Sequence, residues 1–124
     1  MPATSIQVSC EAVWILETAP QYKSLVEQVW LWDEWPDKWG PDTGIDIVVK
    51  TKSEELWAVQ SKAYDETYSI KKQDIDSFFS ASSRSEFSYR LLMATTDKVA
   101  NNARATINGT DPPCDELLRS DLDW

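Results

Sequence analysis

Two β-branched segments separated by a short polar turn constrain the fold of this chain more than any other feature. The first runs from Gly44 to Lys50 and the second from Leu56 to Tyr64, with residues 51–55 between them. Val and Ile favour extended backbone, and a short polar connection between two extended segments suits an antiparallel pairing. The sequence therefore predicts a β-hairpin.

Helical and extended patterns on either side of the hairpin predict a mixed α/β domain. Apolar residues at helical spacing predict a helix over residues 11–30, interrupted at Pro20. Three further elements are predicted after the hairpin, namely a helix capped by Ser69, a strand over 89–94 and a helix that ends at Asn108-Gly109. This order predicts an α/β fold with a central mixed sheet that carries the hairpin and is flanked by helices.

Length and composition indicate one ordinary globular domain. The chain has 124 residues, of which 42% are hydrophobic and 27% charged, values that exclude wholesale disorder. No apolar run approaches the roughly 18 residues of a membrane span, and no signal peptide is recognisable. The cysteines Cys10 and Cys114 lie far apart in the sequence, which disfavours a disulfide scaffold. We therefore expect a cytoplasmic domain without a membrane partner.

The charged and catalytic residue types narrow the function further. The chain contains no histidine, so Ser-His-Asp catalysis and His-bearing metal sites are excluded. Its net charge of −9 argues against a free-standing nucleic-acid binder, because phosphate contacts need clustered Lys and Arg. The tryptophans between Trp30 and Trp39 lie among acids rather than bases, so we expect them to pack in the core rather than stack on nucleobases.

Three polar side chains meet on one face of the predicted hairpin. With the turn centred on Ser53, Asp46 lies opposite Gln60, and Lys62 shares the face of Gln60 because side chains alternate with period two. One interpretation is a solvated ion pair worth about 0–1 kcal/mol. The other is a hard-cation site in which Asp46 and Gln60 bind Mg²⁺ beside a reacting phosphate.

The sequence around these residues favours the second interpretation. Gly40-Pro41-Asp42-Thr43-Gly44-Ile45-Asp46, followed by Gln60-Ser61-Lys62, resembles the active-site signature of the PD-(D/E)xK nuclease superfamily, most closely its Mrr-like branch with a Q-x-K second strand. The resemblance covers roughly residues 20–107. It implies a restriction endonuclease-like core and a DNA endonuclease that uses Mg²⁺, with Mn²⁺ as a substitute.

The resemblance also implies a role for each matching residue. Asp46 and Gln60 become metal ligands, Lys62 the catalytic lysine, and the Ser61 backbone carbonyl a further oxygen. Because a neutral amide is a weak ligand, a helix carboxylate is expected to complete the site, with Glu27 preferred to Glu17. Asp42 either supports the ligands or simply forms the turn before Gly44.

The partners follow from the same resemblance and from the local charge. Four lysines near the hairpin are candidate contacts for the DNA backbone: Lys50, Lys52, Lys71 and Lys72. Residues 1–124 are expected to be a single nuclease domain of a larger restriction-type helicase, whose helicase and methyltransferase domains hold the DNA. Two alternatives remain open at this point, a small acidic Trp-rich inhibitor such as an immunity protein or DNA mimic, and a nuclease fold that has lost activity.

Overall fold

The computed structural model describes residues 5–40, 44–84 and 86–121. Its helices and strands, in chain order, are α1 (Ser5–Thr18), α2 (Pro20–Lys23), β1 (Val26–Leu31), β2 (Ile47–Thr51), β3 (Leu56–Lys62), α3 (Lys72–Ala81), β4 (Phe87–Ala94), α4 (Asn101–Asn108) and β5 (Cys114–Leu117). Single 3₁₀ turns cover Trp32–Glu34 and Arg119–Asp121. No helix in these ranges is both long enough and apolar enough to cross a membrane.

The strands form one mixed sheet in the spatial order β1-β2-β3-β4-β5. The β1–β2 and β2–β3 pairs are antiparallel, whereas the β3–β4 and β4–β5 pairs are parallel. In the predicted hairpin, Ile47 pairs with Val59 and Val48 with Ala58. Both the mixed sheet and the predicted register of the hairpin are therefore confirmed.

Helices cover both faces of the sheet, and each face has its own apolar core. On one face, α1 contributes Ala12 and Leu16, which pack with inward-facing residues of β2, β3 and β4. On the other face, α3 and α4 pack together with Trp32 and Trp35. These two tryptophans are 5% and 2% exposed, so the predicted core role of this cluster is confirmed.

The prediction of a helix over residues 11–30 is wrong in its second half. α1 ends at Thr18, one turn of helix α2 follows Pro20, and residues 26–31 form the edge strand β1. The apolar spacing of Leu25, Val26, Val29 and Trp30 fits a helix, but the backbone hydrogen bonds of this segment go to β2 instead. Tertiary pairing has overridden a pattern that is ambiguous over six residues.

The later elements differ from the predictions mainly at their ends. α3 begins at Lys72 and not directly after Ser69, because Ile70 forms a β-bridge with Val99. β4 begins at Phe87, two residues earlier than predicted. β5 was not predicted, since a four-residue edge strand containing Asp115 and Glu116 carries little apolar signal.

A buried arginine fastens β4 to the segments around it. The Arg90 side chain is 1% exposed, and its guanidinium makes five hydrogen bonds. Nε donates to the Ser82 hydroxyl at 2.6 Å, Nη1 to the Thr110 hydroxyl and the Pro112 carbonyl, and Nη2 to the Phe79 carbonyl and the Ser83 hydroxyl. Burial lowers the pKa of Arg90 from its ordinary value. Three of these acceptor oxygens lie at the carboxyl end of α3 and two in the segment between α4 and β5.

Candidate active site

Asp46 lies at the start of β2, where hydrogen bonds fix its backbone on both sides. Its N–H donates to the Val59 carbonyl at 3.0 Å, and its carbonyl accepts from the Trp32 N–H at 2.9 Å. The carboxylate is also anchored, because Oδ2 accepts from the Ser61 backbone N–H at 2.9 Å. The Asp46 side chain therefore lies against β3, beside the segment Gln60–Lys62.

Gln60 is a buried polar residue with one unpartnered atom. Continuing the β2–β3 register by one pair puts it opposite Asp46. Its Nε2 donates to the Gly44 carbonyl at 3.2 Å, while its Oε1 is buried without a hydrogen-bond partner. A carbonyl pairs only with the N–H end of a carboxamide, so this contact leaves the acceptor oxygen as the free end. A buried acceptor of this kind costs about 1–3 kcal/mol unless a ligand pairs with it.

Gly44 helps to position Asp46 and Gln60, because a glycine lets the chain before β2 approach α3 closely. Its φ is +84°, a left-handed conformation that disfavours side chains. A Cβ at this position would lie 2.8 Å from the Ser77 Oγ and 2.9 Å from the Phe78 backbone nitrogen. The glycine of the D-x-G-I-D pattern is thus required by the packing of the loop that leads to Asp46.

Lys62 ends β3 on the same side of the sheet as Gln60. It is half-buried, and its backbone carbonyl accepts from the Thr95 N–H of the chain just after β4. Its ammonium forms no ion pair with any residue in the described ranges. Ser61 points to the opposite face, where its hydroxyl lies 2.8 Å from that of Ser9 on α1. The predicted alternation of these residues is confirmed.

The predicted role of Glu27 does not fit its position. Glu27 lies on β1 and not on a helix, and its carboxylate is 3.5 Å from the Lys50 ammonium. Lys50 is four residues along β2 from Asp46, about 13 Å at the usual strand rise. Glu17 is on α1, across the sheet from Gln60, and lines a small cleft with Glu27. The structure therefore brings neither acid to Asp46.

The four candidate lysines also separate into two groups. Lys50 and Lys52 lie at the turn end of the hairpin, where Lys52 donates its backbone N–H to the Leu25 carbonyl. Lys71 and Lys72 lie at the start of α3, and Lys72 pairs with Asp76 at 2.9 Å. Asp42 lies outside the described residues. Only the lysines of α3 are at the end of β3 that carries Lys62.

The set of oxygen ligands is small. Within residues 5–40, 44–84 and 86–121, no three His, Cys, Asp or Glu side chains gather as a metal site. The two predicted ligands that the structure places opposite each other are the Asp46 carboxylate and the Gln60 carboxamide. Both offer the hard oxygen atoms that Mg²⁺ prefers, and Mg²⁺ usually retains several waters. The residues present therefore fit a sparsely coordinated Mg²⁺.

Sequence reasoning missed an aromatic pair beside these residues. The rings of Tyr64 and Tyr68 stack with centroids 4.6 Å apart and planes at 26°. The Tyr68 hydroxyl donates to Asp74 at 2.6 Å, and the Lys71 ammonium lies 5.9 Å from the centre of its ring. The available signal in the sequence was the position of Tyr64 two residues after Lys62.

Comparisons with known proteins agree with the fold. A family model described as "Restriction endonuclease" matches residues 17–124. The chain also resembles a solved structure, the ATP-dependent Type ISP restriction-modification enzyme LlaBIII bound to DNA, with a TM-score of 0.81 and 30% sequence identity. That match covers 95% of this chain and 8% of LlaBIII.

A search of curated proteins finds no match. The family model nevertheless spans most of the chain, and the solved neighbour shares its fold. The predicted α/β core of restriction endonuclease type and the suspected nuclease resemblance are both confirmed. This chain belongs to the restriction endonuclease family.

Proposed function

We propose that this domain is the cleavage module of a restriction enzyme and hydrolyses DNA phosphodiester bonds with Mg²⁺ held by Asp46 and Gln60. Mn²⁺ is expected to substitute. The family match supports a nuclease over the alternative of an acidic inhibitor. The Q-x-K form of the second strand supports assignment to the Mrr-like branch.

The observation that carries the proposal is the buried, unpartnered Oε1 of Gln60 opposite Asp46. A hydrophobic or doubly hydrogen-bonded side chain would cost less at this position if it served the fold alone. A divalent cation would pair with this oxygen and with the carboxylate together. Because Gln60 is neutral, such a site has one negative charge fewer than a site built from two acids.

Each residue of the site has a distinct part in this reaction. The backbone hydrogen bonds of Asp46 hold its carboxylate in place, so little ordering is needed when a ligand binds. The unpaired Lys62 ammonium stabilises the negative charge that develops on the phosphate during attack by water. When bound, Mg²⁺ would polarise the phosphate and make the attacking water more acidic.

The negative charge of the domain affects how strongly it binds DNA. A chain of net charge −9 is expected to bind a duplex weakly by itself. LlaBIII is described as DNA-bound and ATP-dependent, and the match spans only 8% of it. We propose that helicase and methyltransferase domains of the same polypeptide hold the DNA, in the cytoplasm, with Lys71 and Lys72 as local backbone contacts.

A plasmid-nicking assay at low ionic strength tests the proposed activity. The wild-type chain should nick supercoiled DNA with Mg²⁺ or Mn²⁺ and stop when EDTA is added. Asp46→Asn and Lys62→Ala should each lower the rate by at least about 100-fold. Lys50→Ala removes a lysine from the other end of the hairpin and is the matched control, for which the rate should stay within about twofold.

The alternative to an active nuclease is a nuclease fold without activity. Among the described residues no group of three His, Cys, Asp or Glu side chains gathers at the proposed metal position, which is the observation that favours an inactive nuclease fold as second candidate. Nicking that is absent from the wild type, or that persists in both Asp46→Asn and Lys62→Ala, would reject the proposed active site.

A further inference from the structure

The Tyr64 side chain lies beside the proposed site through its place in the chain. Tyr64 is two residues beyond Lys62, just after the end of β3, and it packs against the core that contains Ala58 and Val48, on the face of the sheet that carries Gln60. Its ring is partly buried there. Tyr64 therefore lies next to Lys62 at the carboxyl end of β3, on the face of the sheet that carries Asp46 and Gln60.

Two threonines after β4 hold this aromatic segment in place. The Thr95 hydroxyl accepts from the Tyr64 N–H at 2.7 Å and donates to its carbonyl at 2.6 Å. The next residue, Thr96, has its hydroxyl 2.7 Å from the Tyr68 carbonyl oxygen. Together with the stacking of the two rings, these backbone contacts hold the ring of Tyr64 in place before any ligand binds.

The hydroxyl of Tyr64 differs from the other polar groups of this segment because it has no hydrogen-bond partner among the described residues. The Tyr68 hydroxyl, by contrast, is bonded to Asp74. Burial contributes most to raising the pKa of Tyr64, and the charges of Asp74 and Asp46 add to it. The phenol therefore stays protonated through the neutral and mildly alkaline range and offers a neutral donor near Asp46.

We propose that the Tyr64 hydroxyl donates a hydrogen bond to a phosphate oxygen of the DNA strand bound at Asp46 and Lys62. This inference rests on the proposed function and adds a substrate-binding residue to it. A neutral, preorganised donor suits this position because it binds a phosphate oxygen without forming a strong ion pair with Asp46.

The test compares Tyr64→Phe with Tyr68→Phe. Each substitution removes one hydroxyl and keeps the ring, so the stack should survive in both. Binding of a short fluorescent duplex is measured by anisotropy at low salt with Ca²⁺ replacing Mg²⁺, since Ca²⁺ occupies oxygen sites without the strict geometry of Mg²⁺. Mn²⁺ binding without DNA is measured by calorimetry, and thermal melts check folding.

Tyr64→Phe should weaken DNA binding about 10- to 100-fold, the usual effect of one hydrogen bond to a charged group, and leave Mn²⁺ affinity unchanged. Tyr68→Phe should bind DNA and Mn²⁺ like the wild type.

Three outcomes would contradict these expectations. If the wild type nicks DNA and Tyr64→Phe binds DNA as well as the wild type does, this inference alone is overturned. Loss of Mn²⁺ affinity in Tyr64→Phe also overturns it, because the hydroxyl would then serve the metal site. A wild type that binds neither DNA nor Mn²⁺ overturns the inference and the proposed function together.

Discussion

Replacing Gly44 by alanine tests how the fold supports the candidate site. Two costs arise from the structure. The φ of +84° costs an alanine about 1–2 kcal/mol relative to glycine. The new Cβ would lie 2.8–2.9 Å from atoms of Ser77 and Phe78, including backbone atoms of α3, and overpacking of this kind costs about 1–3 kcal/mol. We therefore expect Gly44→Ala to lower the free energy of unfolding by about 2–5 kcal/mol.

Urea denaturation followed by circular dichroism measures this loss, and Gly109→Ala is the matched control. Gly109 has a φ of −101° and its added Cβ would meet one carbonyl oxygen, that of Ala105, at 3.3 Å. The control should therefore lose no more than about 1 kcal/mol. For a domain of this size, the melting temperature of Gly44→Ala should fall by roughly 8–20 °C. Equal losses in the two variants would refute the assignment of a close, left-handed approach at Gly44.

Two further predictions concern stability. Arg90→Met should lower the free energy of unfolding by about 3–5 kcal/mol in urea titrations, because it leaves the buried oxygens around the guanidinium unpaired; a loss below about 1 kcal/mol would contradict this. Burial raises the pKa of Cys114 to about 12, above that of an unfolded thiol. The native protein thus holds this proton more tightly, so stability should be constant below about pH 8 and fall as pH rises from about 9 to 12. Urea titrations at each pH should show a smaller fall in Cys114→Ala, and an unchanged slope would argue against this contribution.

The hairpin and its register could be predicted because local rules determine both. The β-branched residues specify the strands, the turn length specifies the register, and the period of two then assigns Asp46, Gln60 and Lys62 to one side. Alternation is a strict geometric property of extended chains. Tyr64 lies beyond the end of β3, and its position depends on contacts with Thr95 and Tyr68 that the alternation does not predict.

The edge strands could not be predicted, and one error at the site followed from that. Residues 26–31 have apolar spacing compatible with helix or strand, and the choice depends on pairing with β2, a contact distant in sequence. The helix interpretation put Glu27 on the wrong element and near the wrong end of the hairpin. The hydrogen-bonding environment of Arg90 was equally invisible, because its acceptors come from separate segments that only the fold brings together.

The proposed function depends on Asp46 and Gln60 binding a divalent cation together. Crystals soaked in Mn²⁺ and measured at a wavelength that enhances its anomalous signal test this directly. We predict a peak about 2.2 Å from an Asp46 carboxylate oxygen and from the Gln60 Oε1, with the Gln60 Nε2 still bonded to the Gly44 carbonyl. A map with Mn²⁺ only at surface carboxylates, and with the Gln60 Oε1 paired to a protein donor, would contradict it.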